Sequence, residues 1–149
     1  MKNTIIFDLD GTLALIEERR LKSIKPNGKL DWGKFCDPSL IKYDKPNTPV
    51  IKMAQLFAEA GYSIYIFSGR SDRSKLTTQA WLSRNRVPYH KLVMRKQKNY
   101  TPDEILKERW LDKYADKDDV FLVVDDRQKV VDMWRSLGLT VFQVASGDF

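Results

Sequence analysis

A single cysteine, Cys36, stands in the 149 residues, so no disulfide can form within the chain. That absence fits a reducing, cytosolic setting. Cys36 has no partner pattern and is expected to be a small packed residue. The one histidine, His90, lies beside Tyr89 just before an apolar run and is assigned no chemistry. Repeats, low-complexity tracts and long blocks of like charge are missing. No apolar run approaches the ~18 residues that cross a bilayer, so no membrane span is expected. An apolar run already begins at Thr4, so no signal peptide is expected either.

What is present suits one globular domain: 42% apolar residues, enough for a core, and 31% charged residues. The net charge of +6 suggests an anionic partner such as nucleic acid, although many cytosolic proteins are mildly basic.

Five short apolar runs read as strands, at 4–8, 62–67, 91–94, 120–124 and 140–144. They lack clean alternation, as strands buried on both faces do. Helical patterns separate them. Thr48-Pro49 offers a cap and a first-turn proline, and Val50, Met53, Ala54, Phe57 and Ala60 follow at helical spacing before Gly61. Residues 72–86 predict a polar helix anchored by Leu76, Ala80 and Trp81. Thr101-Pro102-Asp103-Glu104 reads as a capping box opening a helix to about Tyr114. A last helix carries Val130, Val131, Trp134 and Leu137 and stops at Gly138. Strands alternating with helices predict an α/β fold, a Rossmann-like parallel sheet of about five strands with helices on both faces.

Residues 14–47 break the alternation. The stretch is basic and mixed, with Pro26, Gly28, Gly33, Pro38 and Pro46, and reads as a small cap inserted after the first strand. Within it Gly28-Lys29-Leu30-Asp31-Trp32-Gly33-Lys34-Phe35 nearly spells a P-loop. Phe35 stands where Ser or Thr should hold Mg²⁺, no apolar strand precedes it and Pro38 soon follows, so no kinase module is expected. Trp32 and Phe35 could stack on a substrate base; the small core of the cap is the favoured reading.

Active sites of parallel sheets gather at the carboxyl ends of the strands. Here those ends carry Asp8 and Asp10, then Ser68, Gly69 and Arg70, then Arg95, then Asp125 and Asp126, with Lys107 on the helix between. Carboxylates, a hydroxyl and cations suit phosphoryl transfer. Residues two apart on a strand point the same way, so Asp8 and Asp10 can share a pocket. Asp8 would be a nucleophile forming an aspartyl-phosphate. Asp10 would protonate the leaving oxygen and then deprotonate water. Gly11 allows a tight turn, and Thr12 can bond a loop or Asp10. Asp-Gly is also a common turn dipeptide, and it is the rest of the inventory that favours catalysis. Asp125 and Asp126 point apart, one toward a metal and the other in support, and one of them is expected to cap the following helix. Lys107 could pair with Asp103 at i,i+4.

Asp8-Leu9-Asp10-Gly11-Thr12-Leu13 resembles the first motif of the haloacid dehalogenase superfamily, and Ser68, Lys107 and Asp125-Asp126 follow in that superfamily's order. The stretches 66–70, 92–95, 103–108 and 123–149 resemble the 3′-phosphatase domains of bacteriophage polynucleotide kinase-phosphatases; the insertion matches least. The resemblance implies one phosphatase domain over 1–149 with Mg²⁺ as cofactor. It implies catalysis by Asp8 and Asp10, and metal binding by Asp8, Asp10, Asp125 and Asp126. Phosphate or substrate contacts would come from Thr12, Arg19, Ser68, Gly69, Arg70, Arg95 and Lys107, with Asp103 in support. It also implies DNA or RNA 3′-ends as substrate, with mononucleotides the alternative. A separate kinase or ligase would be a partner, and a phage-encoded enzyme in a host cytoplasm would be the setting.

Overall fold

The computed structural model describes residues 1–147; the last two residues of the matched C-terminal stretch, Asp148 and Phe149, lie outside the described residues. Among the described residues seven strands and six α-helices are formed. They are β1 (Thr4–Phe7), β2 (Ala14–Leu15), α1 (Glu17–Lys22), α2 (Trp32–Phe35), β3 (Lys45–Pro46), α3 (Thr48–Glu59), β4 (Ser63–Ser71), α4 (Lys75–Arg84), β5 (Lys91–Arg95), α5 (Asp103–Tyr114), β6 (Val120–Asp125), α6 (Gln128–Ser136) and β7 (Val141–Gln143).

Five strands make one parallel sheet in the order β5-β4-β1-β6-β7. The chain builds outward from β1 to β4 and β5, then returns to the other side of β1 for β6 and β7. The order therefore switches beside β1, and the loops leaving β1 and its two neighbours diverge there. Alternation along β1 explains the two cores. Ile5 and Phe7 face a layer holding Val50, Ile51 and Ala54 of α3 with Trp81 and Leu82 of α4. Ile6 faces the opposite layer, with Leu106, Trp110 and Leu111 of α5 and Val130, Val131 and Trp134 of α6. Ile5, Ile6 and Phe7 are essentially inaccessible, so burying these three alone is worth about 5–8 kcal/mol before entropy.

Several local expectations are corrected. In α4 Leu76 and Ala80 are exposed, while Thr78, Trp81 and Leu82 are buried. The inward face holds a threonine because a buried arginine needs an acceptor there (below). No capping box opens α5: Pro102 is the N-cap and no side chain caps it. Neither Asp125 nor Asp126 N-caps α6, where Arg127 takes that place. Asp125 nonetheless accepts the Arg127 N–H at 3.2 Å.

The segment 14–47 contains two short helices and a 3₁₀ turn over Pro38–Tyr43. Its ends are stapled together by antiparallel pairing of β2 with β3. The near-P-loop stretch forms a turn at Gly28 and then α2, with no strand before it. Trp32 is 64% exposed, so the expectation that it forms the cap's core is not met. His90 serves β4 instead of chemistry, its Nδ1 accepting the Ile64 N–H at 2.9 Å. No helix among the described residues is long and apolar enough to cross a membrane.

Candidate active site

β1 ends in Asp8, which is held from three sides. Its N–H donates to the Val124 carbonyl, extending the sheet by one residue. Lys107 Nζ, from α5, donates to Asp8 Oδ1 at 2.8 Å and to Asp125 Oδ2 at 3.2 Å. The Thr12 hydroxyl lies 3.4 Å from Asp8 Oδ2 and 3.3 Å from Asp126 Oδ1. Thr12 is fully buried, so it braces two carboxylates.

Gly11 makes this closeness possible. Its φ is +81°, and a Cβ there would sit 2.2 Å from Asp126 Oδ2. Both the backbone conformation and the space demand glycine.

Asp8, Asp125 and Asp126 offer carboxylate oxygens within 4.8 Å of one another. All three are buried, and the ammonium of Lys107 is the one cation bonded to the cluster among the described residues. Burial raises the Asp8 carboxyl well above its ordinary value, Asp125 raises it further, and Lys107 pulls it down. Burial likewise raises Asp126. Lys107 is raised, because Asp125 and Asp8 outweigh its own burial. Hard oxygen donors with excess negative charge fit a divalent cation such as Mg²⁺.

Asp10 does not join this cluster, and its expected metal role therefore has no support from its carboxylate. Asp10 Oδ1 instead accepts from Arg19 Nη2 at 2.7 Å and from Arg70 Nη2 at 2.6 Å and Nε at 2.9 Å. Arg70 arrives by a register shift between β4 and β5, where Ser68 pairs with Met94 but Ser71 with Arg95. The extra residues Gly69 and Arg70 bulge out of the ladder and re-aim the arginine across the strand end. Ser68 Oγ accepts the Arg70 N–H at 3.1 Å, fixing that bulge. Arg70 Nη1 donates to Thr78 Oγ1 at 3.1 Å, which accounts for the polar inward face of α4.

Sequence reasoning missed the group that closes this network. Asp44, at the far end of the insertion, has no exposed side-chain surface and lies 2.8 Å from Arg70 Nη2 and 3.1 Å from Arg19 Nε. Its carbonyl accepts the Trp81 indole N–H at 3.0 Å, which ties the insertion to α4. Nothing in a loop sequence marks such a residue, since only folding brings position 44 to positions 19 and 70. Burial pushes the Asp44 carboxyl up to about 6 against the pull of Arg19 and Arg70. At Asp10 burial is overcome by Arg70 and Arg19, which bring the carboxyl down to about 2.

The two shifts act oppositely on stability. A carboxyl raised in the fold binds more protons folded than unfolded, so Asp44 costs stability as pH rises from about 4 to about 6. Asp10 contributes stability above about 4 that is lost as pH falls toward about 2. Urea midpoints of the metal-free protein are therefore expected to fall between pH 4 and 6.5. Asp44→Asn should reduce that slope; an unchanged slope would refute the assignment.

Arg95 and Asp103 occupy a third network. Arg95 donates to the carbonyls of Gly69 (3.0 Å) and Asn99 (3.0 Å), to that of Thr101, and to Asp103. Asp103 Oδ2 also accepts from Arg127 at 2.7 Å, a partner the sequence did not suggest. The anticipated Asp103–Lys107 pair does not form; Lys107 turns inward to Asp8 and Asp125. Arg95 thus braces the loops after β4 and β5. Gly69 is packed so tightly on Asp103 that a Cβ would lie 2.7 Å from Oδ1.

Similarity to known proteins matches this geometry. Residues 2–149 match the family of the polynucleotide kinase PNKP phosphatase domain. Two structures of a Pnkp1/Rnl/Hen1 complex, one described as an RNA repair complex, contain a chain 34% identical over 99% of this one, with a TM-score of 0.82. This chain spans 48% and 44% of those chains, about half their length. A HAD family enzyme of Bacteroides thetaiotaomicron, solved with magnesium and inorganic phosphate, shares the fold at 17% identity and a TM-score of 0.56, covering 100% of this chain and 97% of its own. A buried aspartate at the centre of a parallel sheet, faced by a lysine and two further aspartates, is thus set in the haloacid dehalogenase fold, and the chain is a phosphatase that belongs to the polynucleotide kinase PNKP phosphatase-domain family.

Proposed function

We propose that the chain is a Mg²⁺-dependent phosphomonoesterase that removes 3′-phosphate from polynucleotide ends through an aspartyl-phosphate on Asp8. One observation carries the reading. Asp8 is a buried carboxylate fixed by Lys107 at 2.8 Å and clustered with Asp125 and Asp126. A structural role alone would not gather three carboxylates around one ammonium, because their mutual repulsion costs stability.

Asp8, Asp125 and Asp126 would hold the cation, which supplies charge against the phosphoryl oxygens. Asp8 attacks phosphorus, the P–O bond to the 3′-oxygen breaks, and that oxygen takes a proton from Asp10. Water then attacks the aspartyl-phosphate, returning its proton to Asp10 and releasing phosphate. With Arg19 and Arg70 both on Asp10 its carboxyl is held ionised and has no proton to give. Phosphate oxygens drawing those guanidiniums away would raise its proton affinity at the moment a proton is needed. Ser68 and the Gly69 amide lie at the adjacent strand end, suited to phosphate contact.

The relative's place in an RNA repair complex favours RNA ends as substrate and a ligase as working partner. The insertion supports an anionic polymer, carrying eight basic against five acidic residues over 14–47. The chain is read as one phosphatase domain over the matched residues 2–149.

The test is phosphate release with Mg²⁺ from a 3′-phosphorylated oligoribonucleotide, its 5′-phosphorylated twin, the DNA equivalent, and free 3′- and 5′-mononucleotides. A clear preference for the 3′-phosphorylated strand is expected, and chelation should abolish it. Equal turnover of free mononucleotides would make the protein a nucleotidase with the same mechanism.

A further inference from the structure

The insertion holds one large aromatic surface that the catalytic chemistry leaves unused. Three of the four tryptophans are buried: Trp81 at 1%, Trp110 at 7% and Trp134 at 0% exposure. Trp32 is 64% exposed. An indole bared to water costs stability that the other three avoid.

Trp32 is nonetheless held. It opens α2, whose cap is Asp31, accepting the Lys34 N–H at 3.1 Å. Its ring meets Phe35 edge-to-face, with centroids 5.8 Å apart at 87°. Phe35 is locked to the catalytic end of the sheet. The Arg19 guanidinium carbon lies 4.4 Å from its ring centre, and Arg19 Nη1 donates to its carbonyl at 3.3 Å. Arg19 in turn grips Asp10 at 2.7 Å. Three short contacts therefore run from the indole to the strand end. Lys25, Lys29 and Lys34 are exposed on the same stretch of chain.

We propose that Trp32 is a stacking platform for a base near the 3′ end of the polynucleotide, with Phe35 as its fixed support. The proposal rests on the reading of the protein as a polynucleotide phosphatase and names how that substrate is gripped. Aromatic faces accept any base, and nearby cations follow the backbone, so the platform selects for a nucleic acid strand without selecting a sequence. Phe35 is pinned by Arg19, so base stacking and phosphate positioning are mechanically joined.

The test is a cycle between the protein and the substrate. KM is measured for wild type, Trp32→Ala and Trp32→Phe on a 3′-phosphorylated oligonucleotide and on the same strand with its last two bases removed. In wild type, removing the bases should raise KM about five-fold or more, the lower end of what one stacked base contributes. Trp32→Ala should raise KM similarly on the intact strand and respond less than about two-fold to base removal. Trp32→Phe should recover most of the loss. Effects of indole and bases that simply multiply, or a Trp32→Ala KM equal to wild type, overturn the platform. They do so while leaving the polynucleotide reading intact, provided wild type still prefers the intact strand to p-nitrophenyl phosphate. If wild type shows no such preference, the polynucleotide reading fails and the platform fails with it.

Discussion

Asp8→Asn is expected to abolish phosphate release, by at least ~10³-fold in kcat, while leaving the metal-free fold as stable as wild type or more so. The two halves of this expectation have different causes. An amide oxygen cannot form the aspartyl-phosphate, so the covalent route closes. The stability arises from crowding. In wild type, burial and the nearby Asp125 charge both disfavour ionised Asp8. Neutralising it removes one of three carboxylates packed around one lysine, and Lys107 keeps Asp125 at 3.2 Å. A protein strained at its reactive group gains when that group is disabled. Urea midpoints in chelator, read beside steady-state turnover, check both halves. Residual turnover within tenfold of wild type would remove Asp8 as nucleophile. A large loss of stability would show instead that Asp8 is mainly structural.

Lys107→Met should have the second large effect, of opposite sign on stability. Lys107 is 2% exposed and bonds Asp8 and Asp125 together. Methionine fills much of its volume but leaves buried carboxylates facing one another without a cation. Breaking a buried ion pair from one side costs about 3–5 kcal/mol, and ~10²-fold or more in turnover is expected, because positive charge at a developing phosphoryl charge is lost. Mg²⁺ should restore more stability to Lys107→Met than to wild type, since a bound ion stabilises whichever state holds it. Denaturation with chelator and with Mg²⁺ measures this directly. If Lys107→Met unfolds at the wild-type midpoint in chelator, the lysine does not offset the aspartates. If Mg²⁺ gives no added protection to either protein, the three-aspartate cluster is not a divalent-cation site.

Much of this protein is determined by the sequence alone. The five sheet strands are legible as nearly continuous apolar runs, most plainly β1, whose residues are buried on both faces of the sheet. The phosphatase chemistry is legible because Asp8, Asp10, Ser68, Asp125 and Asp126 fall at the ends of those runs, where a parallel sheet gathers its loops, with Lys107 on the helix that precedes the fourth run. The tertiary structure alone decides how these groups are partnered. Lys107 abandons Asp103, its helical neighbour, for Asp8 and Asp125, since a buried ammonium seeks the denser negative charge. Arg95 is consumed by Gly69, Asn99, Thr101 and Asp103, because carbonyls left by a bulge and a loop need donors. Asp44 and Trp32 show the limit most plainly. Both lie in an irregular insertion without periodicity, one wholly buried between two arginines and the other bare to solvent. Periodicity reports which face of an element is buried, but an irregular loop has no such face. Its burial is set by contacts with residues distant in sequence, and those exist only once the chain has folded.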